Sequence, residues 1–132
     1  MSLTELQQEL CTTSPWDFSR LRALYVNCTL KPSPGLSHTE GLMGISIEIM
    51  ERNGVAVDAI RAVDHDIALG VYPDMREHGW QTDEWPELFP RVMAADILVL
   101  AGPIWLGDNS SVMKLVIERL YANSHLLNDA GQ

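Results

Sequence analysis

Basic residues are scarce in this chain. Nine Lys and Arg stand against 18 Asp and Glu, for a formal net charge of −9 over 132 residues. Nucleic-acid and anionic-membrane binders rely on clustered cations, so the composition argues against either partner. Cysteine is scarcer still. Cys11 and Cys28 form no C-x-x-C pattern and no disulfide framework, and a reduced, cytoplasmic setting is the default. The first twenty residues lack the basic start and apolar h-region of a secretory signal. No apolar stretch approaches the roughly 20 residues needed to span a bilayer. Two phosphate-binding fingerprints are missing as well, G-x-x-x-x-G-K-[ST] and G-x-G-x-x-G. No Ser/His/Asp or Cys/His arrangement can be drawn. His65 lies between Asp64 and Asp66, but neighbouring side chains on a strand end point apart and no second ligand cluster accompanies them, so no metal site is predicted.

What remains is an ordinary globular composition, 46% apolar and 20% charged, in a chain long enough for one domain with a real core. Its organising stretch runs from Asp96 to Leu120. Ile97–Ala101 is an unbroken aliphatic run, suited to a strand covered on both faces in the middle of a parallel sheet. Gly102-Pro103 stops it. Ser110 or Ser111 can then cap a helix whose apolar positions Val112, Leu115, Val116, Ile117 and Leu120 recur at helical spacing. The intervening loop carries an aromatic, a glycine, an amide and hydroxyls. Ligands of open α/β sheets bind beyond the carboxyl ends of strands, which makes this loop the first place to look.

Earlier in the chain, residues 1–20 read as an N-terminal arm, with a short helical piece over Thr4–Leu10 broken by Ser14-Pro15-Trp16 and packed by Trp16 and Phe18. Leu21–Cys28 is the first predicted strand. It enters a loop dense in turn formers and hydroxyls, stiffened by Pro32 and Pro34. Ser37 followed by Glu40 is a capping box that opens a helix, and Asn53-Gly54 closes it with a left-handed glycine. The helix N-terminus and the hydroxyls of Thr29, Ser33, Ser37 and Thr39, with Lys31 nearby, make a good anion cradle. Taken alone, the same residues read first as a helix cap and a solvated loop charge.

Val55–Arg61 alternates as a second strand, at an edge. Residues 62–82 are irregular and long for a connection. Between Asp58 and Glu87 eight acids face two arginines, which reads as a solvated acidic face. Asp83 caps a helix with Trp85 and Pro86 in its first turn, and Pro90 should kink or shorten it. The order is β-α-β-loop-α-β-α. Right-handed crossovers with one reversal place the strands 2-1-3 and put a crevice between the carboxyl ends of strands one and three. Loops 29–39 and 102–110 both open onto that crevice, one suited to an anion and the other to a flat ring.

These residues resemble the NADPH-dependent FMN reductase family of the flavodoxin-like superfamily, over about residues 21–127. The resemblance is carried by Asn27-Cys-Thr-Leu-Lys-Pro-Ser33 with Ser37-His-Thr39, by Asp83-Glu-Trp-Pro86, and above all by the run from Ala94 to Lys114 with its Pro-Ile-aromatic-x-Gly loop and Ser-x-x-x-Lys. It implies a three-layer α/β/α fold with a parallel sheet over residues 21–132. It further implies that Thr29, Lys31, Ser37, His38 and Thr39 hold an FMN phosphate, and that Pro103, Ile104, Trp105, Leu106, Gly107 and Asn109 line the isoalloxazine ring. Trp105 also reads as a core or interface residue. Asp108 departs from the pattern, since an acid beside a reduced flavin is unfavourable unless it faces solvent.

The implied activity is that of a flavoprotein oxidoreductase. NAD(P)H serves as substrate, and electrons pass on to a flavin, a quinone or another small-molecule acceptor. The alternative is an electron carrier or a flavin-free interaction module. Relatives continue with two further strands and another site loop, so the C-terminal strands are expected to be absent here and strand three to be an unpaired apolar edge. Such an edge, with Met113, Val116 and Leu120 on the last helix, predicts a homodimer or higher homo-oligomer.

Overall fold

A computed structural model describes residues 2–132. Its centre is a three-stranded parallel sheet of β1 (Arg22–Asn27), β2 (Ala56–Arg61) and β3 (Ile97–Ala101) in the order β2-β1-β3. The register pairs Val26 with Ile60 on one side and with Leu100 on the other. The predicted order 2-1-3 therefore holds. The strand covered on both faces is β1, buried from Ala23 to Asn27. The apolar run of β3 lies at an edge, as the order 2-1-3 requires, and is not covered on both faces as its composition suggested, with Leu98 39% exposed. An aliphatic run reports that two faces are apolar, and says nothing of whether both edges are paired.

Alternation along β1 sends side chains to two cores. Leu24, Val26 and Cys28 meet Ile60, Ala62, Trp85, Leu88 and Val116 on one face. Ala23 and Tyr25 meet Met43 and Val55 on the other. Helix α2 (His38–Arg52) covers the second face, while α3 (Trp85–Met93) and α4 (Ser111–Ala122) cover the first. This is the three-layer α/β/α arrangement. Helix α4 does not keep a free apolar face as predicted, for Val116 is buried in the first core and Met113 and Leu120 pack against it.

Helix α1 (Glu5–Thr13) begins where expected, with Thr4 and Gln7 forming a capping box, and runs on past Leu10 to Thr13. Phe18 packs against the second core. Trp16 does not pack, with 73% of its surface exposed. Helix α2 ends as predicted, with Gly54 at φ 85° after Asn53. Pro90 sits inside α3 without shortening it, since the helix continues to Met93. Residues 62–82 lack regular structure apart from short 3-10 turns at Ala62–Asp64 and Met75–His78.

Candidate flavin site at the carboxyl ends of β1 and β3

Both loops named by the sequence leave the sheet at the same end, side by side. The Cys28 amide donates to the Ala101 carbonyl at 2.7 Å, extending the β1–β3 pairing by one residue. Ser110 ties the loops together from the far end. Its hydroxyl donates to the Cys28 carbonyl at 2.8 Å and accepts from the Met113 amide at 3.1 Å, which makes it the N-cap of α4. A Cβ on Gly102 would stand 3.4 Å from Cys28 Cβ, an ordinary contact, and 2.7 Å from Met113 Cε, which the end of that flexible side chain would have to vacate. Cys28 itself is a packing residue. Burial pushes its thiol up to about 11, so it is protonated and inert at neutral pH.

The first loop is held by side chains from three directions. Asn27, buried at the end of β1, accepts from the Thr29 amide at 3.0 Å and reaches toward the Ser37 hydroxyl at 3.5 Å. Thr29 and Ser37 are consequently buried. Ser37 accepts from the Glu40 amide at 3.1 Å and caps α2. His38 is exposed and Thr39 half-buried, in the first turn of that helix. Lys31 folds back over the loop, its ammonium donating to the Leu36 carbonyl at 3.3 Å.

The predicted capping box is only half formed. Glu40 turns away from the Ser37 amide and meets Arg61 at 2.5 Å. Arg61 was missed by sequence reasoning, because nothing local marks a strand-end arginine as a partner of a loop some 30 residues earlier. Asp64 was likewise missed. It accepts from the Ser33 amide at 2.8 Å and the Ser33 hydroxyl at 2.5 Å, and these bonds hold its carboxyl below the usual range.

The second loop is a miniature hairpin. Strands β4 (Ile104–Trp105) and β5 (Asp108–Asn109) pair antiparallel around Leu106 and Gly107, at φ 52° and 77°. Two consecutive positive φ values match the twist of flanking strands and tighten the turn. Ile104 is 77% exposed, Trp105 57%, and Leu106 fully exposed. The core reading of Trp105 is thereby excluded. Pro103 and Asn109 are half-buried at the hairpin's base. Asp108 is exposed and accepts from the Asn109 amide at 2.7 Å, so its charge faces water.

Beside the β3 edge, a cavity of about 330 Å³ is lined by Tyr25, Thr39, Met43, Val99 and Gly102 among others, so it meets the two loops only at Thr39 and Gly102. That volume lies within the range of small-molecule sites. The half-buried Thr39 and the N-terminus of α2 at one end suit a phosphate, and the apolar wall of Val99 and Leu100 suits a planar ring, while the hairpin does not line this cavity. Among the described residues no cluster of His, Cys, Asp and Glu is arranged to hold a metal. His65 lies beside Glu84 at 3.3 Å instead.

Comparison with known proteins decides between families that share such a crevice. NADPH-dependent FMN reductase is the family that matches, over residues 21–130. The chain belongs to that family. Over 119 residues it is 68% identical to the divalent metal cation transporter MntH of Mycobacterium bovis, a match spanning 90% of this chain and 17% of that protein. It is 35% identical over 117 residues to the 8-demethyl-8-aminoriboflavin-5′-phosphate synthase of Streptomyces davaonensis, spanning 85% of this chain and 46% of that one.

The same coverage and identity, with a TM-score of 0.75, relate it to the crystal structure of RosB with its bound intermediate 8-demethyl-8-formylriboflavin-5′-phosphate. The fold is flavodoxin-like, as expected of an FMN reductase family member. The chain spans less than half the length of each of these relatives. No helix among the described residues is long and apolar enough to cross a membrane.

Proposed function

We propose that this chain builds the phosphate and ring walls of an FMN site, and that it serves an NAD(P)H-dependent oxidoreductase of the FMN reductase type. The observation that carries the reading is the Ser110–Cys28 bond, which joins an anion-suited loop to an aromatic hairpin across one crevice. The bound intermediate 8-demethyl-8-formylriboflavin-5′-phosphate in RosB, at 35% identity, supports a ligand that combines a phosphate with a flavin-type ring.

In this reading the Thr29 and Ser37 hydroxyls, the Thr39 side chain and the first amides of α2 bind the phosphate. Lys31 and His38 add donors at the rim. Pro103 to Gly107 and Asn109 present hairpin backbone and side chains to the ring. The flavin, when bound, supplies the redox chemistry between NAD(P)H and a small-molecule acceptor. The residues of the chain orient it and exclude water from one side, and none is assigned as a catalytic acid or base. Pairing of the open β3 edge in a homodimer or higher oligomer would complete the wall beside Val99 and Gly102.

The absorbance spectrum of purified protein, with and without added FMN, tests the proposal. A bound-flavin spectrum and NADPH oxidation are the expected result. A protein that stays colourless in excess FMN refutes it and leaves an interaction module, for which the exposed Ile104–Leu106 hairpin is the contact surface.

A further inference from the structure

We infer that Arg61 and Asp64 are positioning residues that keep the phosphate cradle open and in shape. The assignment rests on the FMN reading above. Arg61 ends β2, and its side chain is nine-tenths buried, with 9% of its surface exposed. One guanidinium nitrogen donates to the Gly35 carbonyl at 3.0 Å and toward the Lys31 carbonyl at 3.4 Å. The other meets Glu40. Asp64, one turn later, takes both the amide and the hydroxyl of Ser33. Two side chains from the β2 end thus grip the loop at Lys31, Ser33 and Gly35.

The Glu40 contact has a second effect. In a Ser-x-x-Glu start the glutamate normally reaches back to the N-cap amide and supplies the negative charge that the helix N-terminus favours. Here Arg61 draws that carboxylate aside, and among the described residues no hydrogen bond engages the amides of Ser37, His38 and Thr39. Those donors at the N-terminus of α2 are left for a ligand's anion, with the Glu40 carboxylate held by Arg61 rather than over the Ser37 amide. Without Arg61, Glu40 would return to the Ser37 amide and compete with the phosphate for the same end of the helix.

Binding of FMN and of riboflavin, which lacks the phosphate, to the full chain tests this. Arg61→Gln is expected to weaken FMN about fivefold to thirtyfold, in line with a charge at a partly buried helix N-terminus, while riboflavin changes less than about twofold. Adding Glu40→Ala to Arg61→Gln should regain part of the lost FMN affinity, which a purely structural role for Arg61 would not allow. Asp64 is exposed, so Asp64→Ala should fold normally. It should speed hydrogen exchange at the Ser33 amide roughly tenfold or more in flavin-free protein and lower the FMN preference.

Unchanged Ser33 protection in Asp64→Ala overturns the clamp. So does a wild-type FMN preference retained by Arg61→Gln, or a loss that Glu40→Ala leaves untouched. A wild-type chain that binds both flavins equally overturns the phosphate reading itself, and the assignment with it.

Discussion

Asp83 and Arg119 form an ion pair at 2.8 Å with no exposed side-chain surface on either partner. Both carboxylate oxygens take a guanidinium N–H, at 2.9 and 2.8 Å. Arg119 also donates to the Ala68, Tyr72 and Pro73 carbonyls, and Asp83 accepts from the amides of Ala68, Met75 and Trp85. Trp85 lies under the guanidinium at 5.7 Å and donates its indole N–H to Asn123. The irregular segment 62–82 is thereby fastened to α3 and α4 from within.

The pair makes a prediction about acid. Burial pushes the Asp83 carboxyl up, but the bonds from Arg119 and from the Met75, Trp85 and Ala68 amides outweigh it, and the net is below the usual range. A carboxyl depressed on folding contributes stability that is complete above its unfolded pKa of about 4 and is lost as pH falls through the folded value. Melting temperature should therefore drop below about pH 4 more steeply in wild type than in Asp83→Asn. At pH 7 Asp83→Asn should cost about 3–5 kcal/mol, because Arg119 is left as an uncompensated buried charge. Denaturant unfolding at the two pH values checks both.

Trp105→Ala should leave the fold nearly as stable as wild type. Truncating a fully buried aromatic costs about 3–5 kcal/mol, but Trp105 is more than half exposed on the hairpin. A thermal midpoint within a few degrees of wild type is expected, with a changed spectrum of added FMN and weaker flavin quenching of tryptophan fluorescence. A large loss of stability would contradict the exposed placement.

In the FMN reading, Ser37→Ala and Thr39→Ala should weaken FMN far more than riboflavin, because both remove hydroxyls at the start of α2. Ser37→Ala also removes the N-cap of α2, at a cost of about 1 kcal/mol. Titration of both flavins against each variant separates binding from stability. Equal losses for the two ligands would count against a phosphate at loop 29–39.

Ser110→Ala removes two hydrogen bonds with one atom, the cap of α4 and the link to the Cys28 carbonyl. The expected cost is about 1–3 kcal/mol, combining the loss of a cap with a buried acceptor left unpaired. Because the link joins the two loops, flavin affinity should fall along with the melting temperature. Ser111→Ala, one residue on, should change neither.

The β3 edge predicts self-association. Among the described residues its outer side carries no strand, and the groove beside it, lined by Tyr25, Leu42, Met43 and Val99, has no charged side chain in a chain of net −9. Sedimentation at micromolar concentration should show a dimer or larger species. Substituting Val99→Lys, which places charge on that face, should shift it toward monomer. A sharp monomer boundary for the unsubstituted chain would mean that the edge is tolerated in water.

Local chemistry in the sequence determined most of the elements. Periodicity drew α4, the Ser37 cap and Asn53-Gly54 bounded α2, and three apolar runs separated by helical or long connections implied parallel strands in the order 2-1-3. Each depends on residues a few positions apart, where spacing and capping act directly. The tertiary structure alone decided how far the edge strand β3 is covered, because an aliphatic run looks the same in a sequence whether or not its edge is paired. It also decided the partners of charged groups. Arg61 could not be assigned to Glu40 and the Gly35 carbonyl, nor Arg119 to Asp83 and the Tyr72 carbonyl, until the chain path brought segments 21 to 47 residues apart into contact. A side chain's charge is local, but what it neutralises depends on the fold.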